Sequence, residues 1–199
     1  TKDLGGKTNY HLSLPWAEDY QVIRGLEVVN KFRSELEYLG FAHQMEPVER
    51  VDRQVEGFSI YTKSGARFDA RAVIVASGTH QRRLTVPGEA EYITRGVCYS
   101  TISYAPLFIS RRTAVVGEGD LALRSAAELA TVASHVHLVG PDQEALHSAL
   151  GMKLQSLKNV TILVGYSVVA VEGDAFANGV VVMSPDGKED RLEVDGIFV

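Results

Sequence analysis

Apolar residues recur at three- and four-residue spacing from Arg24 to Leu39, at Leu26, Val29, Phe32, Leu36 and Leu39, with Gly40 just beyond. That spacing predicts an amphipathic helix with a glycine stop. The pattern then shortens to a period of two. Val48–Gln54, Phe58–Lys63 and Arg67–Ala76 read as strands joined at Glu56-Gly57 and Ser64-Gly65, an antiparallel meander ending in the buried run Ala72-Val73-Ile74-Val75-Ala76. Ser77-Gly78-Thr79 closes that run. The turn residues of Val86-Pro87-Gly88-Glu89 then mark Val86 to Tyr92 as a crossing between two domains.

Beyond the crossing, strands and helices alternate. Thr113–Val116 is a short apolar strand running into Gly117-Glu118-Gly119-Asp120, and Leu121–Val132 carries apolar residues at helical spacing. His135–Val139, a helical stretch over Asp142–Leu157 and a strand at Val160–Val164 complete a βαβαβ pattern, which requires a parallel sheet with right-handed crossovers. Val168–Glu172 and Gly179–Ser184 form a hairpin, and Pro185-Asp186-Gly187 turns the chain into Leu192–Val199. The expected fold class is α/β, with two Rossmann-like pieces, a parallel sheet, and an antiparallel meander or hairpin. The expected domains are residues 1–88 and 89–199.

Charge and composition narrow the function. With 20 Lys and Arg against 25 Asp and Glu among 199 residues, the chain has a formal charge of −5 and no basic stripe. A primary role on nucleic acid is therefore not expected. No apolar run approaches the roughly 20 residues of a membrane span. The first residues lack the apolar core of a signal peptide, and the single cysteine, Cys98, cannot form a disulfide within the chain, so the expected compartment is the cytoplasm. Six histidines show no metal-ligand spacing, although His135 and His137 share a strand face, so no metal is expected. The chain opens in a Leu-Gly-Gly loop and stops in mid-strand, which reads as an internal segment of a longer protein.

One motif carries candidate chemistry. Gly117-x-Gly119-x-x-Ala122 follows a strand and opens a helix, the context in which glycines admit a dinucleotide's pyrophosphate to the positive end of a helix. Gly117, Gly119, Asp120, Leu121 and Ala122 are the candidate contacts. The same small residues would also permit close helix–sheet packing. At the end of the next strand Asp142 could hold a ribose, or could simply begin the following helix.

These motifs together resemble a known family. Leu4-Gly5-Gly6-Lys7, Val75-Ala76-Ser77-Gly78, Val86-Pro87-Gly88-Glu89, Arg95-Gly96-Val97-Cys98-Tyr99, Val115-Val116-Gly117-Glu118-Gly119-Asp120 and Asp195-Gly196-Ile197-Phe198-Val199 are similar to landmarks of thioredoxin reductases and of the related alkyl hydroperoxide reductase flavoproteins. The resemblance implies a homodimeric FAD enzyme that passes electrons from NAD(P)H through flavin to a Cys-x-x-Cys pair. It makes residues 1–88 a partial FAD-binding domain, with Ala76, Ser77 and Gly78 beside the flavin. Residues 89–199 become an NAD(P)-binding-like domain.

The sequence departs from the family's pattern at three places. Ser100 and Ser103 occupy the Cys-x-x-Cys positions, and a hydroxyl cannot carry out dithiol exchange. Gly140 stands at the strand end, where an NADH enzyme needs an acid, and the arginines of NADPH users are missing. Glu118 and Leu121 replace smaller residues of the nucleotide turn. The reading that follows is an FAD-dependent oxidoreductase without its dithiol, exchanging electrons between NAD(P)H or another donor and a small-molecule or protein acceptor. The alternatives are a non-catalytic regulatory or interaction domain with a degenerate nucleotide site, and an enzyme using a different adenine-containing cofactor.

Overall fold

The computed structural model describes residues 12–17, 25–39, 44–78 and 81–199, without the side chains of Gly25 and Leu26. Leu4-Gly5-Gly6-Lys7, Gly40 and Thr79 lie outside the described residues. The chain divides into two compact units, residues 1–11 with 21–80 and residues 12–20 with 81–199. The division falls ahead of Val86.

In the first unit, α1 (Gly25–Leu39) precedes β1 (Val48–Gln54), β2 (Gly57–Thr62) and β3 (Arg67–Ala70), which pair antiparallel in the order β1-β2-β3. Gly57 makes the first turn possible. Its φ of +128° is one that side-chain-bearing residues avoid, and a Cβ there would lie 2.4 Å from the Ala70 carbonyl oxygen. Two expectations are corrected here. The third strand ends at Ala70, and residues 71–78 pair with no strand among the described residues, leaving Ile74 92% and Val75 82% exposed. An apolar run becomes a buried strand only when neighbouring strands take its N–H and C=O groups, and none of the described residues does so. The apolar stripe of α1 is likewise only partly covered, with Val29 buried but Phe32 and Leu39 exposed.

The second unit is built on a five-stranded parallel sheet in the order β4-β11-β5-β6-β7, made of Val97–Cys98, Gly196–Phe198, Arg112–Val116, His135–Val139 and Val160–Leu163. Alternation along each strand sends side chains to two cores. Val115, Val136, Leu138 and Phe198 face α4 (Asp120–Ala130) and α6 (Ala149–Ser156), packing on Leu123, Ala126, Leu129 and Leu154. Ala114, Val139 and Ile197 face the antiparallel sheet of β8 (Ser167–Gly173), β9 (Ala177–Met183) and β10 (Glu189–Glu193), whose Val171, Val180 and Val182 fill the second core.

Several boundaries differ from the sequence reading. The stretch over Asp142–Leu157 is two helices, α5 (Gln143–Leu146) and α6, broken where Ser148 accepts from Gly151 N–H and starts a new cap. Leu192–Val199 is not one strand. It splits at Val194-Asp195, so that β10 serves the antiparallel sheet and β11 the parallel one. Pro87-Gly88 turns directly into α2 (Glu89–Tyr92), and Tyr92 is buried with its hydroxyl donating to Gly173 O at 2.6 Å.

A strap from far upstream completes the helical core. Leu12 and Leu14 are buried in it, Ser13 N–H donates to Thr94 O at 2.7 Å, and the Trp16 ring meets Phe108 edge-on at 5.8 Å. Trp16 also donates its indole N–H to Leu107 O at 2.8 Å and lies under the Arg111 guanidinium at 4.2 Å. The guanidinium gains from the ring face.

On the opposite face of the sheet, the His135 and His137 rings lie 4.6 Å apart, tilted at 56°, and His135 Nε2 pairs with Thr161 Oγ1 at 2.9 Å. Arg112 and Ala114 of β5 and Thr161 of β7 lie opposite them. His137 Nδ1 is buried with no partner among the described residues. Desolvation, then the nearby His135 and Arg112, lower the His137 pKa from 6.5 to about 4.

Two outcomes are expected. Leu14→Ala should destabilise the second unit by about 2–4 kcal/mol in urea, the usual cost of a fully buried leucine. A loss under about 0.5 kcal/mol would show the strap to be a surface passenger. For His137, the unfolded chain takes up its proton first as pH falls. Stability should therefore be unaffected above about 6.5, decline toward about pH 4 and level off below it. The decline should be about 1–2 kcal/mol after allowance for partial exposure. Urea midpoints of the protein and of His137→Gln across that interval measure the difference, which should be flat if the imidazole is not responsible.

Candidate functional site

The C-terminal ends of β4, β5 and β6 carry the residues singled out in the sequence. At the end of β5 the chain keeps its register for one further residue, Gly117 N–H donating to Val139 O at 3.1 Å. A Cβ at Gly117 would press on the Ala122 Cβ at 3.0 Å, so this glycine is required by the packing of the turn on α4, and Ala122 is buried beneath it. Gly119 is a different case. It is the N-cap of α4 with φ −93° and ψ −162°, ordinary extended values, and a Cβ there would meet nothing within 4 Å. Neither conformation nor packing requires a glycine at 119, and its absent side chain leaves the start of the helix uncovered.

The helix begins with Ala122 and Leu123 donating to Gly119 O at 3.0 and 3.3 Å. The N–H groups ahead of them have no carbonyl one turn earlier, as at any helix start. Asp120 is drawn sideways into an ion pair with Arg124 at 2.8 Å. Glu118 is exposed at the surface of the turn, so its charge stays in reach of water rather than turned into the fold, and Leu121 is 79% exposed at the mouth of the turn.

The loop after β6 is committed elsewhere. Asp142 N–H donates to Glu118 O at 3.1 Å, tying this loop to the glycine turn, and Asp142 Oδ1 accepts from Ala145 N–H at 2.5 Å as the N-cap of α5. Asp142 thus starts the next helix, with one carboxylate oxygen engaged there. Gly140 has φ +74°, and a Cβ there would lie 2.9 Å from Tyr166 O, so no side chain fits without strain. Sequence reasoning sees at Gly140 only a missing acid. The positive φ behind the glycine has no signal beyond the Gly-Pro pair.

After β4, Ser100 is the N-cap of α3 (Thr101–Tyr104), and its hydroxyl donates to Ser103 Oγ at 3.0 Å. The two serines are thus brought together, Ser100 half-buried and Ser103 exposed. Cys98 lies apart from them, buried in the helical core with its Sγ 3.9 Å from Gly96 O. Burial pushes its thiol well above the ordinary range, which makes it a small hydrophobe rather than a nucleophile. Ala76, Ser77 and Gly78 belong to the first unit, where they are exposed, with Gly78 at φ +71°. Among the described residues no three or more His, Cys, Asp or Glu side chains gather as a metal site, and no helix is long and apolar enough to cross a membrane. Sequence reasoning misses Glu89, a buried acid just behind the Ser100 loop.

Residues 5–199 match the pyridine nucleotide-disulphide oxidoreductase family. The F component of the alkyl hydroperoxide reductase of Escherichia coli is 38% identical over 157 residues, covering 75% of this chain and 30% of that protein. An NADH dehydrogenase of Bacillus subtilis is 32% identical over 158 residues, covering 78% and 31%. The chain thus spans about a third of the length of these curated relatives. Among solved structures, thioredoxin reductase from Streptococcus pyogenes superposes with a TM-score of 0.81 at 24% identity, over 96% of this chain and 63% of that one. This last likeness is one of fold, and it carries the α/β architecture with Rossmann-like domains.

The Ser100–Ser103 geometry yields a direct expectation. Two hydroxyls 3.0 Å apart show that the two side chains reach one another from positions three residues apart, as a disulfide requires. Ser100→Cys/Ser103→Cys should therefore close under oxidised glutathione, leaving one thiol per denatured chain, that of Cys98. Three thiols after oxidation would mean that the loop does not hold the pair together.

Proposed function

The chain belongs to the pyridine nucleotide-disulphide oxidoreductase family, and from that premise we propose that it is the nucleotide-binding part of a flavin oxidoreductase that passes electrons without an intrachain dithiol. The observation that carries the reading is Gly119, a glycine that nothing in the fold requires, at the N-terminus of an 11-residue helix behind a parallel strand. A pyrophosphate approaching that helix start would meet backbone N–H groups and the positive end of the helix dipole, with no side chain in between. Glu118, in reach of water, opposes such a ligand only weakly. That a relative carries the name NADH dehydrogenase supports a nicotinamide donor.

The family implies FAD in the full-length protein. When bound, FAD would supply two-electron transfer between a reduced nicotinamide and an acceptor. On this chain Ala76, Ser77 and Gly78 are the described residues that could border it. Ser100 and Ser103 line the place of the missing sulfurs and carry no electrons, so the acceptor is a small molecule, a bound cofactor or a protein that meets the flavin directly.

The ribose end of the nucleotide is poorly provided for. Gly140 carries no acid and a side chain there would be strained, Asp142 has one carboxylate oxygen engaged in a helix cap, and no arginine follows β6 in the sequence up to α6. Binding therefore rests on the pyrophosphate and should discriminate little between NADH and NADPH. The same observation favours a second reading, a regulatory domain whose nucleotide site has decayed.

Titration calorimetry separates the two. NADH and NADPH should bind with dissociation constants within about tenfold of one another. Gly119→Val, whose Cβ meets open space, should weaken both by about tenfold or more while costing no more than about 1 kcal/mol in urea, the difference between glycine and a poor N-cap residue. No heat from either nucleotide would favour the regulatory reading. In the full-length flavoprotein, anaerobic NADH should bleach the visible flavin band.

A further inference from the structure

Glu89 is 3% exposed, and its carboxylate accepts from three neutral donors. Leu84 N–H reaches Oε1 at 2.9 Å, Thr85 N–H reaches Oε2 at 2.8 Å, and the Tyr99 hydroxyl reaches Oε1 at 2.8 Å. Consecutive backbone N–H groups converging on one anion form a concavity that suits a carboxylate. Thr85 adopts φ +60° there, a left-handed value that a β-branched residue takes only when its surroundings compel it.

The same stretch is gripped from a second side. Val171 N–H donates to Pro87 O at 2.9 Å, and Gly88, at φ +81°, approaches so closely that a Cβ would lie 1.9 Å from Val171 O. The backbone entering the second unit is therefore held by one acid and one strand. Tyr99, the third donor to that acid, immediately precedes Ser100, whose hydroxyl meets Ser103.

We propose that Glu89 is a positioning residue that couples the entering backbone at Leu84-Thr85 to the Ser100–Ser103 loop through Tyr99. Whatever displaces that backbone loosens the loop, and whatever reshapes the loop is felt at Leu84. A glutamine at 89 cannot reproduce the arrangement, because its amide nitrogen would face a donor. A coupling of this kind is reciprocal, so it can be read from either end. It does not depend on nucleotide binding, and its test stands apart from the calorimetry.

From one end the readout is limited trypsin digestion of the 199-residue chain, with mass spectrometry following cleavage after Arg82 and Arg83, directly ahead of Leu84. Glu89→Gln should speed cleavage there about fivefold or more, and Tyr99→Phe about twofold or more, with cleavage after Arg124 in α4 unchanged as the control. From the other end, in the Ser100→Cys/Ser103→Cys background, either substitution should lower the glutathione equilibrium constant for the disulfide about threefold or more. Tyr99→Phe removes a single hydroxyl and keeps the test valid if Glu89→Gln fails to fold. Unchanged cleavage and an unchanged disulfide equilibrium in Tyr99→Phe would overturn the proposal. So would acceleration at Arg124 in parallel with Arg83, which would make the effect global unfolding.

Discussion

The second unit depends on β11 lying between β4 and β5. Neither of those strands pairs with the other. Both are held by the short segment from Asp195 to Val199, with Ile197 N–H donating to Gly96 O at 2.8 Å, Val199 N–H to Cys98 O at 3.0 Å, and Asp195 N–H to Arg112 O at 2.7 Å. Because all of these pairings are parallel, the loop carrying Ser100 and the turn carrying Gly117 leave the sheet at one edge. Open α/β sheets place their ligands along that edge, and here it is a strand far downstream that brings the two loops to it. The fit is tight. A Cβ on Gly196 would sit 2.1 Å from the Phe108 ring, and Phe108 meets Phe198 edge-on at 5.1 Å.

Along that edge, residues divide by whether the fold already accounts for them. Gly117, Gly140, Asp142 and Ala122 are each explained by a bond or a close approach within the chain. Gly119 and the exposed Leu121 are not. The serine pair occupies a middle position, satisfied internally by one hydrogen bond yet half open to solvent. A site that keeps its backbone entry while losing its side-chain partners suits chemistry in which a bound group does the work and the protein supplies position.

Where a pattern meets neighbouring strands, the sequence is readable. His135–Val139 falls where its pattern puts it because its neighbours bury alternate side chains, and Val48–Gln54 because β2 takes up its backbone groups although its side chains stay largely exposed. Ala72–Ala76 shows the converse, for its apolar pattern is as strong as that of β6 but no described strand receives it. The split of Leu192–Val199 is not readable because both halves are strand-like, and only the tertiary placement of Val194 and Asp195 between two sheets divides them. The glycine turn is legible as a motif. The reasons for Gly140 and Glu89 are not, because a positive φ and a buried acid are consequences of neighbours elsewhere in the chain.

Phe108 ties together segments made at very different times. It packs against Trp16 from the strap and Phe198 from β11, with the helical core between them. As the chain is synthesised, β4 emerges about a hundred residues before the strand that must pair with it, so its backbone groups wait on a long loop closure. The strap's partners come sooner, since Leu107 and Phe108 follow Trp16 by about ninety residues and α4 and α6 are complete before β7 is made. The nascent second unit thus passes through a state that has its central β5-β6-β7 ladder and its helices but not β11. That intermediate, with β4 unpaired and an open strand edge on β5, is where chaperone engagement and aggregation compete with completion of the sheet.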